Sequence, residues 1–157
     1  MEKNLEERVQ QAVGLFMEGY GCAQAVTAAF ADLYGMDRET ALRISAGFGG
    51  GVGRMRMMCG TVSALVLLAG LDSGQTEGGN RQGKSACYRL VQQLVNGFRE
   101  RNGSVICAEL LGLQANTPVT HIPDERTAAY YKARPCAAKV ESAARIFAEY
   151  LEKKAAQ

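Results

Sequence analysis

The stretch Cys59-Gly60-Thr61-Val62-Ser63-Ala64-Leu65-Val66-Leu67-Leu68-Ala69-Gly70-Leu71 decides the fold. It is apolar on nearly every side at helical spacing, which marks a helix buried all round rather than one lying on a surface. Thirteen residues fall well short of the roughly 20 that cross a bilayer, and Ser63 interrupts the run. A helix that cannot meet water or lipid must be wrapped by others, so the rest of the chain is expected to supply helices with one apolar stripe.

It does. Leu5, Val9, Ala12, Val13, Phe16 and Met17 recur at helical spacing before Gly19, and a second helix is expected from Cys22 to Tyr34, stopped by Gly35. Asp37 is placed to cap a short helix reaching Ala46. Downstream, Asp72 to Gly83 reads as a polar loop. Ser85 to Arg101 is a long amphipathic helix with Tyr88, Val91, Leu94, Val95 and Phe98 in one stripe. Ser104 can cap a short helix to Leu111, and Gly112 to Asp124, with Pro118 and Pro123, reads as an irregular connection. A short helix near Arg126–Lys132 and a last one from Cys136 to about Lys154 complete the chain. Alternating apolar and polar runs joined by hairpin turns are absent. The expectation is all-α: one compact domain over residues 1–157, with six or seven helices joined by glycine-rich connections.

At 157 residues the chain is long enough to bury a real core. A net charge of +2 and the lack of any basic track interleaved with aromatics argue against nucleic-acid binding. The charged start, Met1 to Arg8, has no secretory core, so a cytoplasmic setting without membrane insertion is expected. Thiols stay reduced there, and permanent disulfides are not expected. The all-round apolar helix is open either to burial in one subunit or to sharing between two, so a homodimer is one outcome the sequence allows.

Five cysteines then need an account. Cys22, Cys59, Cys107 and Cys136 each sit where a helix begins, with 36, 47 and 28 residues between successive members. A helix N-terminus carries partial positive charge and unpaired N–H groups, which favour the thiolate that attacks disulfides or binds metals. None forms Cys-x-x-Cys, so neither a thioredoxin motif nor a zinc knuckle is present. Four isolated ligands converge only if a folded scaffold brings them together, which suits a cluster or a redox pair better than a metal that drives folding. Cys87 lies within the long helix, without a turn before it, and reads as a bystander. Small buried hydrophobes remain an equal reading of the set.

The glycine segment Gly47-Phe48-Gly49-Gly50-Gly51-Val52-Gly53-Arg54 cannot stay helical. Neither dinucleotide nor phosphate-loop spacing fits it. Its N–H groups, at Gly49, Gly50, Gly51 and Gly53, are expected close to the sulfurs as cofactor-binding groups, with Arg54 and Arg56 beside them. A tight connection between helices, or a small anion site at the two arginines, are the other readings of that turn. Met55, Met57 and Met58 are soft donors that copper(I) would favour, although core filling is the commoner role. His121, the one histidine, lies in the proline-bearing connection and reads as solvated.

Gly21-Cys22-Ala23, the glycine-rich Ser45–Arg54 segment, Cys59-Gly60, Cys107-Ala108-Glu109-Leu110-Leu111-Gly112 and the late Cys136 together resemble the bacterial and archaeal family named for its Cys-Gly-Cys-Ala-x-x-Gly-Cys-Cys pattern, described as redox-active. The resemblance spans about Gly19 to Tyr150. It implies that Cys22, Cys59, Cys107 and Cys136 are the signature cysteines, with Cys87 outside it. A similar module in split-Soret cytochromes is linked to an iron–sulfur centre. Without Cys-x-x-Cys-His this chain cannot attach haem in the c-type manner. The leading expectation is a redox protein whose four cysteines are metal ligands to an iron–sulfur cluster, two-iron in preference, for electron transfer with an unidentified redox partner. If metal-free, the same four would be the catalytic, redox-active thiols of a thiol–disulfide oxidoreductase. A helical protein with structural zinc ranks below both.

Overall fold

The computed structural model describes residues 1–157; its regular structure is helical, with no strand. The helices are α1 (Lys3–Met17), α2 (Cys22–Phe30), α3 (Arg38–Ser45), α4 (Gly60–Ser73), α5 (Arg81–Asn102), α6 (Cys107–Leu110), α7 (Ala128–Ala133) and α8 (Cys136–Ala155). Six are two turns or longer. The five longest close a circuit in which α1 packs on α2, α2 on α4, α4 on α5, α5 on α8 and α8 back on α1.

The amphipathic stripes meet inside that circuit, except that Met17 and Tyr88, expected on the apolar side, stay exposed. Phe16, Phe30, Phe98 and Phe147, one each from α1, α2, α5 and α8, are fully buried with Leu65 and Leu68 of α4. Phe30 and Phe147 meet edge-on with centroids 5.1 Å apart, the geometry favoured by their ring quadrupoles. Helix α4 is buried along its first six residues and at Leu68 and Ala69, while Val66 and Leu67 stay partly open. The sequence expectation of a central apolar helix is thereby met over most of its length.

Boundaries follow local chemistry. Asp37 accepts from the Thr40 N–H and caps α3, as expected. Asn80 does the same for Gly83 N–H, so α5 opens four residues before Ser85. Thr127 caps α7, which therefore starts at Ala128 rather than Arg126. Helix α2 ends at Phe30 and tightens into a 3-10 turn over Ala31–Tyr34 instead of running on. Asp72 does not open a loop. It lies in the last turn of α4 with a side chain only 2% exposed, held by Tyr34, Tyr150, Lys154 and Ser73.

Two irregular pieces bring the start of α4 to the start of α6. A single antiparallel bridge pairs Met58 with Ile106: Cys59 N–H donates to Val105 O at 2.8 Å, and Cys107 N–H to Met57 O at 2.6 Å. The chain entering that bridge turns left-handed. Gly50, Gly51, Val52, Gly53 and Arg54 have φ between 54° and 74°, and Arg56 has φ 62°. Val52 is the outlier, since a β-branched residue there crowds its own carbonyl. Long-reach backbone bonds hold the turn, with Gly53 N–H on Gly47 O, Arg54 N–H on Gly49 O and Met57 N–H on Gly51 O.

Candidate functional site

Each of the four dispersed cysteines occupies a helix start. Cys22, Cys107 and Cys136 are the first residues of α2, α6 and α8, and Cys59 is the residue just before α4. All four line one cavity of about 390 Å³, and Cys87 does not. The means of convergence is specific. The α1–α2 corner and the start of α4 touch through Cys22 and Gly60: a β-carbon on Gly60 would fall 2.5 Å from Cys22 Sγ. The Met58–Ile106 bridge sets Cys59 beside Cys107. Gly51 lies flat against Cys107, where a β-carbon would fall 2.7 Å from Cys107 Cβ.

The thiols share one electrostatic neighbourhood, with Cys59 at its centre. Among cysteine neighbours, Cys59 acts most strongly on Cys22, on Cys107 and on Cys136. Helix-start placement alone would favour thiolates, but burial dominates. It pushes Cys22 up to about 12, although the Gly50 N–H bonds its sulfur and works the other way. Residue 22 is only partly covered, yet its sulfur is deeply desolvated. Burial also raises Cys107 and Cys136, against the opposing fields of Arg56 and Arg134 respectively. Desolvation disfavours the charged form, so these thiols are neutral near pH 7 until a cation or an oxidant draws the proton off. Cys59 Sγ lies 3.1 Å from Thr61 Oγ1. Arg56 Nη1 points at Cys107 Sγ from 3.7 Å.

The glycine turn meets the sulfurs unevenly. Gly50 supplies an N–H to Cys22, and Gly49, Gly50 and Gly53 line the cavity. The N–H groups of Gly49 and Gly53 are taken by the Ala46 and Gly47 carbonyls, so they are turned from the sulfurs. Gly51 serves by close approach to Cys107. Met55 and Met57 are each 53% exposed, and no methionine lines the cavity. His121 is exposed at the cavity rim.

The sequence reading passed over the far wall. Arg126, Tyr130, Arg134 and Lys139 also face the cavity. Arg126 lies over the Phe16 ring, 4.4 Å from its centroid, and donates to the carbonyls of Phe16 and Tyr20. Arg54 crosses from the glycine turn to hold residues 120–124: it donates to Thr120 O and Ile122 O and pairs with Asp124. Arg134 pairs with the same carboxylate at 2.7 Å. The one available sign was position, since Arg134 and Lys139 flank Cys136 within one helical turn.

No three His, Cys, Asp or Glu side chains stand close enough together to chelate a single ion. The thiols ring the cavity rather than a point. No helix is long and apolar enough to cross a membrane.

A sequence model of the family described as "Putative redox-active protein (C_GCAxxG_C_C)" matches residues 20–150, and the chain belongs to that family. No curated protein and no solved structure matches it.

Proposed function

We propose that this redox-active family member is a cytoplasmic electron-transfer protein. Cys22, Cys59, Cys107 and Cys136 would hold an iron–sulfur cluster, two-iron in preference. The observation that carries the reading is the convergence of four thiols, from four separate helix starts, on one cavity. Thiolates are the usual protein ligands of such clusters, and a cluster shared by four of them is anionic. The surroundings suit that charge: Gly50 N–H bonds the Cys22 sulfur and Arg56 faces the Cys107 sulfur, the kind of contact that stabilises reduced clusters. A bound cluster would supply one-electron chemistry. The chain's own part is to desolvate it, to aim the Gly50 N–H and the Arg56 guanidinium at its sulfurs, and to release the thiol protons on loading.

Loading requires the thiols to draw inward, because no three donors already meet. Protein purified without oxygen should be coloured and contain iron with acid-labile sulfide, and replacing Cys59 by Ser should remove both. Colourless protein without iron, after reconstitution as well, would sink the reading.

A second reading has its own support in the central place of Cys59. A metal-free dithiol would use Cys59 with one of its three neighbours, surrendering two electrons and two protons to a disulfide acceptor and closing a bridge. Mass mapping after mild oxidation separates the two, since this reading requires a Cys59-containing disulfide in iron-free protein.

A further inference from the structure

The cavity concentrates positive charge that the fold only partly pairs. The whole chain carries a net charge of only +2. Yet Arg54, Arg56, Arg126, Arg134 and Lys139 all line this one cavity, against the single carboxylate of Asp124. Arg54 and Arg134 share that carboxylate. Arg56, Arg126 and Lys139 have no carboxylate partner at all. Arg126 is satisfied by backbone carbonyls and aromatic faces, whereas Lys139 spends only one of its three N–H donors, on Asn102 Oδ1 at 3.1 Å. Arg56 has only the Cys107 sulfur, a weak acceptor 3.7 Å away.

Some arginines elsewhere in the fold do have carboxylate partners. Arg8 meets Asp32, Arg101 meets Glu149, and Arg145 takes both Glu6 and Glu141. Grouping cations around a concave, partly desolvated surface costs self-repulsion, and it focuses the field on whatever enters. A volume of about 390 Å³ lies within the range of small-molecule sites, roughly 300–1,000 Å³.

We infer that the cavity binds a small oxyanion-bearing molecule, a carboxylate or phosphate compound, beside the four thiols, with Arg56 and Lys139 as its recognition residues. The planar guanidinium of Arg56 can take two oxygens of one carboxylate or phosphate, a geometry that its sulfur neighbour cannot use. Lys139, one turn along α8 from Cys136, supplies a second positive point from the opposite wall. This deepens the redox reading and rests on it only for what the bound molecule is for.

The test is calorimetric titration of the reduced, metal-free protein at low ionic strength, with inorganic phosphate in one arm and malonate in the other. Saturable binding in either arm is expected, and the stronger arm tells a phosphoryl ligand from a dicarboxylate. The Arg56→Gln/Lys139→Gln double variant should weaken it by about ten-fold or more, the scale of one lost charge-assisted contact. Arg43→Gln, on exposed α3 away from the cavity, should leave it unchanged. If Arg56→Gln does not fold, Lys139→Gln alone carries the comparison. Absence of saturable binding in both arms overturns the inference, and so does an equal loss in the Arg43 variant. Iron and sulfide content decide the cluster reading separately and leave this titration untouched.

Discussion

Gly60 stands directly against the Cys22 sulfur, with room for no side chain between α4 and α2: a β-carbon there would lie 2.5 Å from Cys22 Sγ and 2.9 Å from the Phe48 carbonyl oxygen. By helix propensity alone, alanine at this position would gain roughly 0.5–1 kcal/mol. The clash reverses the sign. Gly60→Ala should lose about 1–3 kcal/mol in denaturant unfolding, typical of overpacking. It should also expose Cys22 to alkylation, because the sulfur has to move. A stabilised Gly60→Ala protein would show that the two helices do not meet as described.

The left-handed turn predicts opposite outcomes at adjacent positions. Gly51→Ala places a β-carbon 2.7 Å from both Cys107 Cβ and Met57 N and should destabilise strongly. Val52→Gly removes a branched side chain from φ 64° and should be neutral or gain up to about 1 kcal/mol, despite the entropy that glycine adds to the unfolded chain. Urea midpoints of the two variants check the contrast.

Thiol chemistry should follow burial and not helix-start placement. Cys22, Cys107 and Cys136 all ionise above their ordinary value near 9, Cys22 only at about 12. A raised pKa in the fold means the folded state holds its proton longer than the unfolded chain. Stability from these thiols is therefore complete below pH 9 and is lost as pH rises toward 12. Site-resolved alkylation of metal-free protein should be slow at pH 7–8, with Cys22 the slowest of the three. Fast Cys22 labelling at neutral pH would contradict the burial account.

Asp72 predicts an effect on stability without one on the cavity. Burial opposes its ionisation, but hydrogen bonds from Tyr150, Lys154, Tyr34 and Ser73 outweigh that and hold its carboxyl below the ordinary range. Its contribution is present above pH 4 and falls away in acid. Asp72→Asn should cost about 1–3 kcal/mol at pH 7 by leaving buried groups imperfectly paired, and should flatten the acid side of the stability profile. Iron loading and anion binding should be unchanged, as Asp72 does not line the cavity.

Cys87 provides the control. It lies on α5 outside the cavity, so Cys87→Ser should leave metal content and the thiol reactivity of the other four unaltered. Loss of iron in this variant would redraw the ligand set.

Much of this protein is legible in its sequence, because local rules produce it. The 3.6-residue stripes that contain Phe16 and Phe98 give α1 and α5. The apolar run from Cys59 gives a buried α4, and Asp37 gives a cap. Solitary cysteines after turns put four sulfurs at helix starts. These are contacts within a few residues, and near neighbours in sequence decide them. Asp72 shows the limit: a charged residue reads as loop until Tyr34 and Tyr150, 38 and 78 positions away, are seen to bury it.

Tertiary structure alone decided what the sulfurs share. The Met58–Ile106 bridge and the Gly60–Cys22 contact depend on residues dozens of positions apart, and no periodicity encodes them. The same packing reversed the electrostatics. A helix start favours a thiolate only where water or a partner helps carry the charge, and closing the cavity removed the water. It also gathered Arg126, Arg134 and Lys139 opposite the glycine turn. Sequence thus determined the helices and where each cysteine begins one; the folded cavity determined that those cysteines share one wall-to-wall space, that burial holds the protons on Cys22, Cys107 and Cys136, and that five cations with one carboxylate surround them.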